Sequence, residues 1–213
     1  MLVDAVLQAA RPLLAAAFSV GGSPVTWLEI VAFVLSIVMV LANLRVNPVA
    51  WPLAIASSLL YALLFADSRL YGEASLQLFF VVVAFWGWWQ WLRGTADDGS
   101  RLHVHRLGAR SRWAVAAATL AVWPLAGLLI HHTTDSDVPF LDALPTVGSV
   151  AGQFLLGRKL LENWAVWLGV NVFSMGLFAL KGLWLTVLLY ALFAGLSVVG
   201  WRAWRRLESA GGG

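Results

Sequence analysis

The 213 residues are 61% hydrophobic and only 12% charged, against about a quarter charged in an ordinary soluble domain. A soluble fold of this length has too little interior for so much apolar surface, so the composition excludes a soluble globular protein and describes a single membrane domain. The formal charge of +3 is small and the basic residues fall between apolar runs, which argues against a nucleic-acid partner, and the absence of cysteine excludes disulfides, thiol chemistry and cysteine-ligated metal.

Residues 1–24 are apolar but broken by Arg11 and Pro12, and are read as a short interfacial helix ahead of the membrane domain rather than a signal peptide. Seven runs long enough to span follow, at about 25–44, 48–66, 71–92, 112–131, 141–157, 164–180 and 183–204. Arg45, Arg93, Arg101, Arg106, Arg110, Arg112, Arg158, Lys159, Arg202, Arg205 and Arg206 fall on one side of these spans; Arg11, Arg69 and Lys181 fall on the other. The positive-inside rule then places the N-terminus outside and the C-terminus in the cytoplasm. The 94–111 loop is cytoplasmic and reads as a polar connector.

Residues 25–93 and 141–206 form an internal repeat. At an offset of 113, Leu28-Glu29 lies over Leu141-Asp142, Ser36 over Ser149, Gln77 over Tyr190, Gly87 over Gly200, Trp88 over Trp201 and Trp91 over Trp204. In the second helix of each unit an offset of 116 places Asn47, Trp51 and Ser58 over Asn163, Trp167 and Ser174, and so sets Asn171 against Ile55. Each unit has three spans and the single helix 112–131 separates them, so both units cross the membrane in the same direction. The fold expected is all-α integral membrane, with seven transmembrane helices in a 3+1+3 parallel repeat.

On the third span Gln77, Trp88 and Trp91 fall within about 60° of one another, with the indoles roughly 16 to 21 Å beyond the amide. Tyr190, Trp201 and Trp204 repeat the stripe. For Trp91 and Trp204, at helix ends, the aromatic belt of the membrane interface is the plainer reading. On the sixth span Trp164, Trp167, Asn171 and Ser174 share one face and set an aromatic pair beside two polar groups near the midplane; Gln153 is a further candidate. Every carboxylate sits in a loop or at a helix end, which argues against proton or sodium coupling, and no glycine-rich phosphate loop is present. Facilitated diffusion of a small molecule is the expected activity. His131 and His132, with Asp135 and Asp137, are the one metal-like cluster, but they lack metal-ligand spacing and read as a solvated loop; a membrane enzyme built on them is the lesser alternative. No cofactor is expected.

The runs at 71–93 (YGEASLQLFFVVVAFWGWWQWLR) and 158–171 (RKLLENWAVWLGVN), with GWRAW at 200–204, resemble the PnuC-type vitamin transporters, chiefly the bacterial nicotinamide riboside transporters. The similarity runs from Trp27 to Arg206. It implies a SWEET-like arrangement, a homotrimer in the bacterial inner membrane, and uptake of nicotinamide riboside that a cytoplasmic kinase traps by phosphorylation. It also implies a substrate site of Gln77, Trp88, Asn163, Trp164, Trp167, Asn171 and Tyr190. A cationic planar ring suits indole faces and a sugar suits amides. Thiamine and riboflavin, carried by related members, remain alternatives, and no enzymatic activity is implied.

Overall fold

The computed structural model describes residues 8, 10–20, 23–67, 71–96, 99–133, 138–180 and 184–211. Among the described residues seven long helices run in chain order: α1 Trp27–Leu44, α2 Ala50–Asp67, α3 Tyr71–Arg93, α4 Ala109–Thr133, α5 Pro139–Gly157, α6 Asn163–Leu180 and α7 Trp184–Gly211. All but α5 are long and apolar enough to cross a membrane. The exception has a physical reason. The sequence of α5 carries Asp142, Gln153, two prolines and three glycines, and it buries Ala143, Val147, Gly148, Gly152, Leu155, Leu156 and Gly157, so much of it faces protein. Within each helix the backbone groups are satisfied locally, as a hydrocarbon solvent requires.

The segment ahead of α1 differs from the interfacial helix expected over 1–24. Residues 10–14 are helical, but Ala16–Val20 and Ser23–Thr26 form an antiparallel hairpin, β1 and β2, with Ala16 opposite Thr26 and Phe18 opposite Val25. The Gly21-Gly22 pair between short runs rich in valine, threonine and phenylalanine is a hairpin signal that the apolar composition obscured; residues 1–7 lie outside the described part. Thr26 then caps α1, its hydroxyl accepting the Glu29 N–H at 3.1 Å. Threonine three residues before glutamate is a capping-box spacing, and it sets the helix start two residues later than the apolar run suggested.

The chain divides into two compact units, Met1–Trp88 and Trp89–Gly213. In the first, α1 packs on α2 through small residues, with Leu28, Ala32, Ala50, Trp51, Ala54 and Ala62 buried. Between them the hydroxyls of Ser36 and Ser57 meet at 2.7 Å and Ser57 donates to the Ala32 carbonyl at 3.0 Å, a polar tie that close approach of small residues permits. In the second, α4 packs on α5, α5 on α6 and α6 on α7. Only Gly127 of α4 is buried, where the Phe140 ring lies on it.

The turns that follow α1 and α5 are the same turn. Asn47 donates to Ala42 and Val46 to Asn43; 113 residues later Leu160 donates to Leu155 and Lys159 to Leu156. These are the two bonds of a Schellman motif, and the residue at its centre is left-handed in both, Val46 at φ 51° and Lys159 at φ 53°. The match continues into the next helix: Ala50 to Asn47, Trp51 to Pro48 and Leu53 to Val49 recur as Asn163 to Leu160, Trp164 to Leu161 and Val166 to Glu162. The offset is therefore 113 throughout. The shift to 116 in the second helix is corrected: Trp51 corresponds to Trp164, and Asn171 corresponds to Ser58 rather than Ile55.

The described residues of the 94–111 segment, expected as a polar connector, also pack on the turn between α5 and α6. Leu102 and Val104 are buried, and His105 exchanges backbone bonds with Lys159 and Leu161 in the α5–α6 turn. Glu162 accepts from the Leu107 N–H at 3.1 Å and pairs with the Arg112 guanidinium at 3.0 Å, while Arg106 pairs with Glu208 at 3.0 Å. The segment is a strap laid over the turn, and α4 begins at Ala109 rather than at 112.

Candidate functional site

The polar face predicted on α6 is buried. Asn163, Trp164, Asn171 and Ser174 are all at 6% exposure or less, and Trp167 is half-buried with its ring edge beside Gly152 of α5. The polar side chains of Asn171 and Ser174 are met from α7. Asn171 Nδ2 donates to Ser197 Oγ at 3.3 Å, and the Tyr190 side chain lies near Ser174 while its ring stacks on Phe178 at 5.2 Å. Tyr190 and Ser197 are seven residues apart, so they rise on one face of α7.

At the α6 N-terminus the polar groups are less complete. Asn163 Nδ2 donates to the Leu160 carbonyl at 2.6 Å, but its Oδ1 is buried with no hydrogen-bond donor among the described residues. Trp164 Nε1 is likewise a buried donor with no acceptor. Each such atom costs about 1–3 kcal/mol relative to a paired one. An acceptor and a donor left open on adjacent residues are what a polar ligand or water satisfies.

Trp91 and Trp204 are not belt residues. Trp204 is fully buried, edge-on to Trp164 at 5.6 Å and 6.1 Å from Trp91, and Trp91 Nε1 donates to the Leu156 carbonyl at 3.0 Å. Lys159 closes the cluster, its Nζ 5.2 Å above the Trp91 ring and 3.0 Å from the Leu102 carbonyl. Burial, followed by the nearby Arg101 charge, pushes the Lys159 ammonium below its ordinary pKa. The helix-end position suggested a lipid interface. The strap and the α5–α6 turn cover that end with protein instead.

Gln77 and Trp88 lie on α3 in the first unit, both half-buried, with Trp88 6.5 Å from Phe85. Gln153 is half-buried on α5. His131 and His132 are exposed at the end of α4 with rings 5.2 Å apart; Asp135 and Asp137 lie outside the described residues, and no metal-binding group of three or more His, Asp or Glu occurs among the described ones. Sequence reasoning missed Ser197, Glu162 and the core role of Trp91 and Trp204. Ser197 had a signal: it lies midway along the Tyr190–Trp204 stripe, seven residues from each.

Several apolar helices carrying a buried face of amides, hydroxyls and indoles define a multi-pass membrane protein built to handle a polar small molecule. The chain belongs to the nicotinamide mononucleotide transporter family, whose model matches residues 26–206. It is 25% identical over 209 residues to the nicotinamide riboside transporter PnuC of Escherichia coli, covering 86% of this chain and 87% of that one. It is 27% identical over 190 residues to the riboflavin/roseoflavin transporter RibM of Streptomyces davaonensis, with 88% and 89% covered. The crystal structure of the vitamin B3 transporter PnuC matches with a TM-score of 0.70 at 27% identity, over 86% of this chain and 83% of that chain. The resemblance to PnuC-type transporters is thus a family relationship, and these relatives are transporters, not enzymes.

Proposed function

We propose that the chain carries nicotinamide riboside into the cell by facilitated diffusion across the bacterial inner membrane, where a cytoplasmic kinase traps it by phosphorylation. The observation that carries the reading is the buried α6 face with its open Asn163 Oδ1 and Trp164 Nε1. These groups, with Trp167, Asn171 and Tyr190 of the second unit and Gln77 and Trp88 of the first, are the proposed substrate contacts. Amides and the phenol suit ribose hydroxyls and a carboxamide, and indole faces suit the cationic pyridinium. The nicotinamide riboside relatives in Escherichia coli and Neisseria mucosa support the substrate. Every carboxylate lies in a loop or near a helix end and none near the middle of a span, which supports uncoupled movement.

The arrangement proposed is seven spans in a SWEET-like 3+1+3 parallel repeat, assembled as a homotrimer, with the N-terminus outside and the C-terminus in the cytoplasm. The constant 113-residue offset of the turn hydrogen bonds supports the duplication. The second reading is riboflavin, favoured by the Streptomyces davaonensis relative; thiamine is a further member of the same substrate class.

Proteoliposomes decide between them. Labelled nicotinamide riboside is expected to equilibrate without an ion gradient, and the Asn171→Ala and Trp167→Ala variants are expected to slow it. Uptake of riboflavin or thiamine but not nicotinamide riboside would replace the substrate, and accumulation that needs a proton or sodium gradient would overturn the uncoupled mechanism.

A further inference from the structure

Ser197 is 3% exposed in α7, and its hydroxyl does two things. It donates to the Phe193 carbonyl one turn back at 2.8 Å, and it receives Nδ2 of Asn171 at 3.3 Å. A serine hydroxyl has one proton. With that proton held by Phe193, Ser197 meets the amide only as an acceptor, so Asn171 must turn its NH2 toward α7 and its Oδ1 away. An asparagine amide placed by shape alone has two orientations of nearly equal volume; the committed hydroxyl removes one of them.

We infer that Ser197 is the positioning residue that fixes Asn171 as a hydrogen-bond acceptor toward the substrate, so that the group Asn171 recognises is a donor: a sugar hydroxyl or a carboxamide N–H. The inference rests on the proposed role of Asn171 as a substrate contact. The internal repeat sharpens it. At the true offset of 113, Asn171 stands where the first unit has Ser58, and Ser197 stands where it has Ala84. The amide and its orienting hydroxyl are both missing from the first unit, as expected of a pair that works together and is not part of the duplicated scaffold.

The test is uptake kinetics of labelled nicotinamide riboside in proteoliposomes. Ser197→Ala is expected to raise KM about tenfold with Vmax within about twofold, because the freed amide samples both orientations while the translocation path is intact. Ser197→Cys, close in size but a weaker acceptor, is expected to fall between wild type and Ser197→Ala. In an Asn171→Ala background Ser197→Ala is expected to add nothing to KM. A hydroxyl with a merely structural role would lower Vmax and the melting midpoint and leave KM alone, and that result would overturn the inference. So would an equal KM rise with Asn171 already removed. If Asn171→Ala transports like wild type, the reading of Asn171 as a substrate contact has failed; if Asn171→Ala is impaired and Ser197→Ala is not, only the positioning role has failed.

Discussion

The indole of Trp164 lies against the bare backbone of Gly200, and 113 residues earlier the indole of Trp51 lies against Gly87 in the same way. A Cβ at either glycine would overlap ring carbons, so each tryptophan is seated by the lack of a side chain on the facing helix. Overpacking of this kind costs about 1–3 kcal/mol. Gly200→Ala is therefore expected to lower the thermal unfolding midpoint of the purified protein in detergent. Trp164→Phe in the same chain should recover part of the loss by shrinking the ring; no recovery would mean that the clash lies elsewhere.

Val46 holds a left-handed backbone that a β-branched residue adopts only with strain. Relieving it is worth about 1 kcal/mol. Val46→Gly is expected to raise the unfolding midpoint with transport unchanged. Lys159→Gly relieves the same strain but removes the ammonium from the Leu102 carbonyl and the Trp91 ring, so it should gain less.

The depressed pKa of Lys159 has a sign in stability. Below its usual value of 10.5 the unfolded chain binds the proton more tightly than the folded one, so this position favours folding increasingly as pH rises through that window. Wild type is expected to gain on Lys159→Met in thermal stability as pH rises toward 10.5. A difference that stays flat across that range would show that the ammonium is not perturbed.

Glu162 ties the strap by accepting from the Leu107 N–H and the Arg112 guanidinium. Bonds to a charged acceptor are worth about 1.5–3 kcal/mol each when well made, less at an exposed arginine. Glu162→Ala is expected to speed hydrogen exchange around Leu107 and trypsin cleavage after Arg106 and Arg110, with α6 unchanged. Unaltered exchange would mean that Leu102 and Val104 hold the strap on their own.

Each observed helix overlaps its predicted run, and six of the seven were legible because lipid imposes a length of apolar residue that counting detects. The 113-residue recurrence of the turn after α1 was legible only in part, because the helix that follows it was aligned wrongly. Asn47 and Trp51 are four residues apart, as are Asn163 and Trp167, and matching these letters slid one helix by nearly a turn. Letter identity does not see the backbone. The left-handed residues Val46 and Lys159 do mark the register, and they are neither glycine nor asparagine, so nothing in their side chains announced them.

Composition and periodicity alone determined that this is a multi-pass helical membrane protein with a polar, aromatic face on its sixth helix, because both depend on local spacing along the chain. Tertiary structure decided the rest. It buried Trp91 and Trp204 against each other, Trp164 and the α5–α6 turn, since a side chain at a helix end faces lipid or protein according to what folds over it. It also gave Asn171 its partner, because the hydroxyl of Ser197 comes from the next helix and a single proton, already committed to Phe193, sets which way the amide turns.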